Sequence, residues 1–379
     1  MRWRWRLAAV MLLISAGGVR AEPAPQAVAG GPTVEDGYFE VAQPLAPHVW
    51  VIRQAKPFHL QPIGNVLVVE QSDGLVMLDS GGSPGSGRRI VALVKSLSPK
   101  PVKAIFISHW HGDHAMGLPA VLQAWPKARV IASAATRRHL GEAKTQNAPP
   151  APDAKANAAL LEKYRGFIAY GRDQAAQAKS ETEREGWLKL QRLATQYVHD
   201  MDGALTLQPA EGYARRLVIA DAQAPVEALF LGRANTDGDA EIWLPRQRIL
   251  ASGDTVVSPV PYGFGSYPKD WIGVLQKLRA YPFRTLVPGH GEPQHDRAYL
   301  DRLIALIQAV RAQVGPLARQ GLSLKTVEEK VDLSAQRKAF VGDDPWLGQW
   351  FDQYWSEPIV RSAYKEARGE PIVQSLKGD

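Results

Sequence analysis

The chain has 379 residues, 45% of them hydrophobic, with 45 basic and 38 acidic residues and no cysteine. This length and composition allow a large buried core, so we expect a globular protein with one large domain or two modest ones. The lack of cysteine excludes disulfides, thiolate metal ligands and a cysteine nucleophile, so any metal must be held by His, Asp, Glu or Asn.

Residues 1–21 have the pattern of a secretory signal peptide. Three arginines precede an apolar run from Leu7 to Ile14, and the segment ends in "VRA", a small-x-small cleavage pattern. An uncleaved membrane anchor is the alternative, but the run is shorter than the roughly 20 residues that span a bilayer. The pattern predicts an exported, most simply periplasmic protein with no stable membrane insertion after cleavage. Cleavage would leave a net charge of +3, which does not indicate a nucleic-acid-binding surface.

The first half of the chain predicts alternating strands and helices. Residues 22–46, rich in Ala, Pro and Gly, predict a flexible leader. Strand-like runs lie at 48–54, 65–71, 75–81, 102–109 and 129–133, and helical runs lie at 87–98 and 117–128. This alternation predicts an α/β layered domain.

The second half predicts a helical insertion, further strands and a helical C-terminal region. Residues 157–200 carry Trp187, Leu190, Ala194 and Tyr197 at helical spacing. Strand signals then lie at 204–207, 215–221, 226–232, 241–245, 248–254 and 284–290, with a helix at 270–281. From Asp296 the pattern is helical, and we expect its aromatic run at 344–355 to pack as core or docking surface.

The stretch "ISHWHGDHAMG" (107–117) holds three of the nine histidines within six positions. His109 and His111, two apart in an extended loop, can point to one side, whereas the adjacent Asp113 and His114 can diverge toward a second point. The loop follows a predicted strand, at the sheet edge where α/β proteins bind ligands. Imidazoles and carboxylates are zinc ligands, so this pattern indicates a metal site. The alternative is a polar loop with Asp113 capping a helix.

"HWHGDH" resembles the HxHxDH signature of the metallo-β-lactamase superfamily. The resemblance extends to "VMLDSGG" with Asp79, "LASGD" with Asp254 and "LVPGHG" with His290, and it covers roughly residues 45–300. It implies an αββα sandwich of the metallo-β-lactamase type with a helical insertion and C-terminal helices. The implied hydrolase domain spans 47–300 with the insertion at 157–200, and a C-terminal helical extension spans 301–379.

The resemblance implies two metal positions of unequal strength. One would be held by Asp113, His114, His290 and the shared Asp254, and the other by His109, His111 and Asp254. The family's third histidine is replaced by Asn235 in "GRANTDGD". Because an amide oxygen is a weaker zinc donor than imidazole, Asn235 or water would complete a looser second position. We expect zinc at one or both positions, with the second partly empty or selective for another metal.

Such a centre predicts hydrolysis without a side-chain nucleophile. Two divalent ions would activate a water, and Asp113 could orient it and carry a proton. Asp79 could hydrogen-bond a ligand histidine or brace the loops, or simply form a turn. The residues expected to wall the substrate pocket are Trp110, Tyr262, Phe264 and Tyr267. The insertion and the C-terminal helices could cover the cleft or only add core.

The predicted function is a metal-dependent hydrolase that cleaves an ester-like, thioester-like or amide-like bond of a small molecule. A periplasmic β-lactamase is one alternative. Export favours it, but by the resemblance Asp254 stands where lactamases of the family generally have Cys or Ser. A metal-binding protein without turnover is the other alternative, because Asn235 replaces a ligand.

Overall fold

A computed structural model describes residues 27–56 and 63–376, so the predicted signal peptide at 1–21 lies outside the described residues. Two β-sheets form the centre of the fold. The first has the strand order β1 to β7, antiparallel from β1 to β4 and parallel from β4 to β7. Its strands are β1 Glu40–Ala46, β2 Val49–Gln54, β3 Val66–Glu70, β4 Leu75–Leu78, β5 Val102–Ile107, β6 Arg129–Ser133 and β7 Glu211–Tyr213.

The second sheet has the order β12-β11-β10-β9-β8 and is antiparallel except for the β11–β12 pair. Its strands are β8 Arg216–Ile219, β9 Val226–Leu229, β10 Glu241–Leu244, β11 Ile249–Ala251 and β12 Thr285–Val287. The helices are α1 Pro84–Leu97, α2 Gly112–Ala115, α3 Leu118–Ala124, α4 Ala134–Leu140, α5 Ala154–Gln177, α6 Glu181–Asp200, α7 Pro268–Ala280, α8 Ala298–Arg319, α9 Leu324–Lys330, α10 Ser334–Val341, α11 Pro345–Trp350 and α12 Glu357–Arg368.

Successive side chains along the strands pack into different layers of the core. On β5, Ala104 and Phe106 pack with residues of the second sheet, whereas Ile105 and Ile107 pack with Ile90 of α1 and other helical residues. Successive side chains of a strand point to opposite faces, so a strand buried on both faces is apolar throughout. The outer face of the second sheet packs on α7, α8 and the C-terminal helices. This is the predicted αββα sandwich.

Three boundaries differ from the sequence-based prediction. The leader predicted over 22–46 is wrong for residues 40–46, which form β1 and pair with β2. Pro44 is tolerated there because β1 is an edge strand with an irregular register beside Pro44. The domain boundary at 300/301 falls inside α8, whose buried face shares a core with the second sheet. The insertion consists of the paired helices α5 and α6, and so begins at Ala154 rather than at 157.

The strand predicted at 204–207 is wrong. Its "ALTL" run forms a loop, in which Thr206 N donates to Pro149 O at 3.0 Å and Thr206 Oγ1 accepts from Ala148 N at 2.9 Å. The sequence analysis did not identify two short elements, α4 and β7. Among the described residues, no helix has the length and apolar character that a membrane-spanning segment needs.

Candidate metal centre

The predicted ligands follow the ends of strands from both sheets. His109 and His111 lie just after β5, where the chain bends before the single turn α2, whose N-cap position is His111. That turn carries Asp113 and His114 away from His111. Asp254 follows β11 and His290 follows β12. The two sheets therefore bring these six predicted ligands to one edge of the sandwich.

The donor atoms form two clusters that share Asp254. The Asp113 cluster contains Asp113, His114, Asp254 and His290, and the His109 cluster contains His109, His111 and Asp254. Within each cluster the donor atoms all lie within 4.8 Å of one another. In the Asp113 cluster His290 Nε2 is 3.0 Å from Asp113 Oδ2 and 3.2 Å from His114 Nε2. In the His109 cluster His109 Nε2 is 2.9 Å from His111 Nδ1.

Asp254 has the geometry of a bridge between the clusters. Its Oδ1 is 3.2 Å from His114 Nε2, and its Oδ2 is 3.5 Å from His109 Nε2. Both oxygens are buried and accept no hydrogen bond from the described residues. Gly289 allows this placement, because a Cβ there would overlap Asp254 Oδ1. A buried carboxylate without donors is costly unless a cation satisfies it.

Asp79 orients two of the histidines. Its backbone is in the left-handed region (φ 66°), and its Oδ2 lies 2.8 Å from His114 Nδ1. Ser108 donates to Asp79 through its backbone N–H (2.7 Å) and its hydroxyl (2.8 Å), and the same hydroxyl lies 3.0 Å from His109 Nδ1. With both Nδ1 atoms held in this way, Nε2 of each ring faces its cluster. The sequence analysis did not identify Ser108, although it directly precedes the first ligand.

The electrostatics of the clusters favour a bound cation. Burial, reinforced by His114 and the other neighbouring imidazoles, holds the pKa of His109 well below its usual value, so the ring is neutral and can act as a ligand. Burial also lowers the pKa of His114, but Asp254, Asp113 and Asp79 outweigh it and raise that pKa well above the usual value. These carboxylates thus attract a proton onto His114 when no other cation neutralises them. The donor set of imidazoles and carboxylates suits zinc or a similar divalent ion.

Asn235 is fully buried in the loop after β9. Its Nδ2 donates to the carbonyl of Tyr262 at 2.8 Å, and its Oδ1 has no hydrogen-bond partner among the described residues. The loop is fixed by Asp239, which accepts from the backbone N–H of Thr236 at 2.7 Å and from its hydroxyl at 3.0 Å. The amide therefore secures the Tyr262 loop and has one free oxygen left to offer a metal or a water.

A cavity of about 730 Å³ lies beside the clusters and includes His111, Asp113 and Asp254 in its wall. Of the four predicted pocket residues, Trp110, Tyr262 and Phe264 line it. The prediction for Tyr267 is wrong, because the chain turns at Gly265 (φ 58°) before Tyr267 reaches α7. The Tyr267 hydroxyl donates instead to Ile372 O at 3.4 Å, and the Arg233 guanidinium lies over its ring.

Most of the cavity wall comes from the insertion and the C-terminal region, which together supply seven aromatic side chains to it. These two regions both cover the cleft and add core, since Trp187 and Trp350 belong to the core of the second sheet. Sequence reasoning had identified none of these side chains as pocket residues. They are Tyr164, Phe167, Tyr170, Trp187, Tyr197, Trp350 and Tyr354.

The remaining described histidines lie outside both clusters. His139 Nε2 is 2.8 Å from Asp237 Oδ1, and His295 Nδ1 is 3.4 Å from the Thr285 hydroxyl. Within the described chain, these two imidazoles thus contact side chains that are not candidate ligands.

The fold and the clusters together define an αββα sandwich with a candidate two-metal centre at one edge. Residues 61–290 match the family model of the metallo-β-lactamase superfamily. This match covers more than half of the chain and includes every candidate ligand. The chain belongs to the metallo-β-lactamase superfamily.

Relatives within the superfamily differ in the substrates that their names give. The chain is 25% identical over 297 residues to a linear primary-alkylsulfatase of Pseudomonas sp. (strain ATCC 19151), covering 75% of this chain and 52% of the relative. It is 21% identical over 265 residues to a metallo-β-lactamase type 2 of Bacillus sp. (strain 170), covering 68% of this chain and 78% of the relative. The chain thus spans about half the length of the alkylsulfatase.

A solved structure shows the same fold. The sec-alkylsulfatase Pisa1 from Pseudomonas sp. superposes with a TM-score of 0.59 at 18% identity, covering 86% of this chain and 50% of that one. The superposition thus covers a larger part of this chain than residues 61–290, which match the family model.

Proposed function

We propose that this protein is a metal-dependent hydrolase that holds two divalent ions, zinc first among them, in the Asp113 and His109 clusters. The observation that carries this proposal is Asp254, whose two buried oxygens face different clusters and accept no hydrogen bond from the described chain. These residues would hold the ions where they would lower the pKa of a water and polarise the oxygen of the bond to be cleaved.

Asp113 is the residue we assign to orient the attacking water and to carry its proton to the leaving group. Its side chain is 20% exposed, lines the cavity, and has Oδ2 3.5 Å from His114 Nε2. Burial raises the pKa of Asp113, but His114 and His290 outweigh it and hold that pKa below the usual value. The carboxylate is therefore ionised at neutral pH, the form that can coordinate a cation and accept a hydrogen bond from the attacking water.

We propose that the two metal positions differ in affinity. The Asp113 cluster offers four protein ligands, whereas the His109 cluster offers three, so its fourth ligand would be a neutral one, a water or the oxygen of Asn235. Asn235→His should raise the occupancy of the second position. The same substitution should also loosen the Tyr262 loop, because it removes the donor to Tyr262 O.

The cavity supports a substrate with an ester-like bond and an extended apolar part. Aromatic side chains from α5, α6 and the C-terminal region would bury such a part, while the bond to be cleaved lies near Asp113 and Asp254. The similarity to a linear primary-alkylsulfatase makes an alkyl sulfate ester the first candidate within this class. The similarity to a metallo-β-lactamase type 2 keeps β-lactams as the second candidate.

The proposal is tested with zinc-loaded protein on a panel of alkyl sulfates, carboxylic esters, thioesters, lactones, phosphodiesters and chromogenic β-lactams. We expect turnover of at least one ester with a long apolar chain, and its loss in Asp113→Ala. Turnover of β-lactams alone would favour the second candidate. Turnover of no compound in excess zinc would favour a metal-binding protein without catalysis, and an Asp113→Ala variant as active as the parent would contradict the assigned centre.

We also propose export to the periplasm, supported by the signal-like pattern of residues 1–21. Expression of the full chain followed by cell fractionation and N-terminal sequencing tests this proposal. We expect a periplasmic product that begins at Glu22, and a cytoplasmic product that keeps residues 1–21 would contradict it.

A further inference from the structure

The residues after α12 cross one wall of the cavity. We call residues 371–376 the C-terminal segment, and its residues from Ile372 to Leu376 line the cavity beside the candidate centre. The segment is tied to the body of the protein at both ends. Ile372 O accepts from the Tyr267 hydroxyl at 3.4 Å, and Leu376 N donates to Lys144 O at 3.1 Å.

Gln374 connects this segment to the loop that carries the first two candidate ligands. Its side chain is buried, its Oε1 accepts from Trp110 Nε1 at 2.9 Å, and its Nε2 donates to Gly265 O at 2.8 Å. Trp110 stands between His109 and His111 in the chain and is only 3% exposed. The Gln374 side chain therefore forms hydrogen bonds with two loops. One carries His109 and His111, and the other follows Asp254 and contains Gly265.

The candidate ligands differ in how their rings are held. His109 and His114 are oriented through Ser108 and Asp79. His111 has no such partner, because within the described chain its one hydrogen-bond contact is between its Nδ1 and His109. Its ring packs instead against Trp110, with the centroids 4.4 Å apart and the planes at 72°. Besides the ring of His109, whose centroid is 4.6 Å away, Trp110 is thus the aromatic neighbour on which the orientation of His111 depends.

We propose that Gln374 is a positioning residue for the metal centre. By fixing the indole of Trp110, it fixes the imidazole of His111 and so sets the affinity of the His109 cluster, the position that already lacks a third histidine. The C-terminal segment is then part of the weaker metal position as well as a wall of the cavity. This inference rests on the two-metal centre proposed above.

The experiment measures the two Zn²⁺ affinities of the full chain by competition with a chelator, with Co²⁺ absorption as a second readout. Gln374→Ala and Trp110→Phe each remove the bond between the two side chains. Outer partners of metal ligands typically change affinity by about 10–100-fold. We expect each variant to weaken the second ion by about tenfold and the first by less than about twofold. We expect the double variant to be no weaker than either single one, because both substitutions remove one interaction.

Two further variants separate positioning from simple packing. Gln374→Glu keeps an acceptor for Trp110 and loses the donor to Gly265 O, so we expect it to restore most of the second-ion affinity. Glu370→Gln, at an exposed side chain paired with Arg368 just before the C-terminal segment, is the matched control and should leave both affinities unchanged. Thermal unfolding checks that each variant is folded.

The inference is overturned if Gln374→Ala binds the second ion as tightly as the parent, or if it weakens both ions equally. It is also overturned if the effects of Gln374→Ala and Trp110→Phe multiply in the double variant. A parent chain that binds no second ion contradicts the two-metal proposal itself, a result distinct from these because it appears before any substitution.

Discussion

Asp79 controls the orientation of His114 directly and of His109 through Ser108. Replacing it by Asn would remove the anionic partner of His114 Nδ1 and disturb the Ser108 hydroxyl. We therefore expect Asp79→Asn to lower metal affinity by about 10–100-fold, measured by chelator competition. Asp73→Asn, at an exposed carboxylate paired with Lys103, is the matched control. Unchanged affinity in Asp79→Asn would show that the residue only forms a turn.

The stability of the protein should depend on pH through Glu241 on β10, whose carboxyl is fully buried and accepts from the Thr255 hydroxyl at 3.0 Å. Burial, and after it the nearby Asp239, raises the pKa of Glu241 well above its usual value of 4.5. The folded protein therefore keeps a proton that the unfolded chain releases. The stability from this protonated carboxyl is complete below about pH 4.5 and is lost as the pH rises toward the folded-state pKa.

Glu241→Gln removes this titration with little change of shape. We expect its free energy of unfolding, relative to the parent, to increase from pH 5 to pH 8 by up to about 1.4 kcal/mol per pH unit. Urea unfolding at several pH values measures the difference. Glu162→Gln, at an exposed carboxylate of α5, should give a constant difference. A constant difference for Glu241→Gln too would contradict the raised pKa.

At the scale of elements, a buried ionic network joins the insertion to the sandwich. Asp200 of α6 accepts from the Tyr38 hydroxyl at 2.9 Å and from the guanidinium of Arg89 in α1 at 2.8 Å. Arg89 also pairs with Glu40 of β1 at 2.6 Å. Arg89 of α1 thus links α6, which supplies part of the cavity wall, to β1, and neutralises two buried carboxylates.

Removing that cation leaves Asp200 and Glu40 buried without charge compensation. We expect Arg89→Ala to destabilise the fold by about 3–5 kcal/mol in urea unfolding. Arg184→Ala removes an exposed arginine paired with Glu181 within α6 and should leave the free energy of unfolding nearly unchanged. Equal effects of the two substitutions would contradict a structural role for the network.

Single strands and loops also show which parts of the fold can be predicted from sequence patterns. β5 and the loop that follows it in the chain are predictable, since an apolar run buried on both faces leads directly into "HWHGDH". β1 is not, because Pro44 suggests irregular chain and the irregular edge pairing that tolerates it depends on β2. Ser108 is missed for a different reason, since its hydroxyl has a role only after folding brings Asp79 beside it.

At the scale of the whole molecule, the cavity joins the candidate centre to side chains from α5, α6 and the C-terminal region. No local pattern predicts it, because Trp187 and Trp350 have the helical spacing of ordinary core residues and do pack as core. Their approach to Asp113 is a result of tertiary structure. Five of the eight large hydrophobic side chains that are strongly exposed in the described chain also line this cavity, namely Phe167, Tyr170, Phe264, Val373 and Leu376.

This apolar lining predicts a dependence on substrate chain length. For the esters turned over, we expect kcat/KM to rise by up to about fourfold for each added methylene, since burial of one contributes about 0.8 kcal/mol. Tyr170→Ser should reduce this dependence, whereas Val218→Ser, at an equally exposed residue outside the cavity, should not. A rate independent of chain length would contradict the assignment of the cavity to an apolar substrate part.

The central claim is that Asp254 bridges two unequal metal positions. Anomalous diffraction from crystals of the zinc-loaded protein, collected on both sides of the zinc edge, tests it most directly. We predict two peaks about 3.5–4 Å apart on either side of the Asp254 carboxylate. The peak at Asp113, His114 and His290 should be the fuller one. A single peak, two equally full peaks, or a peak away from these residues would contradict the account.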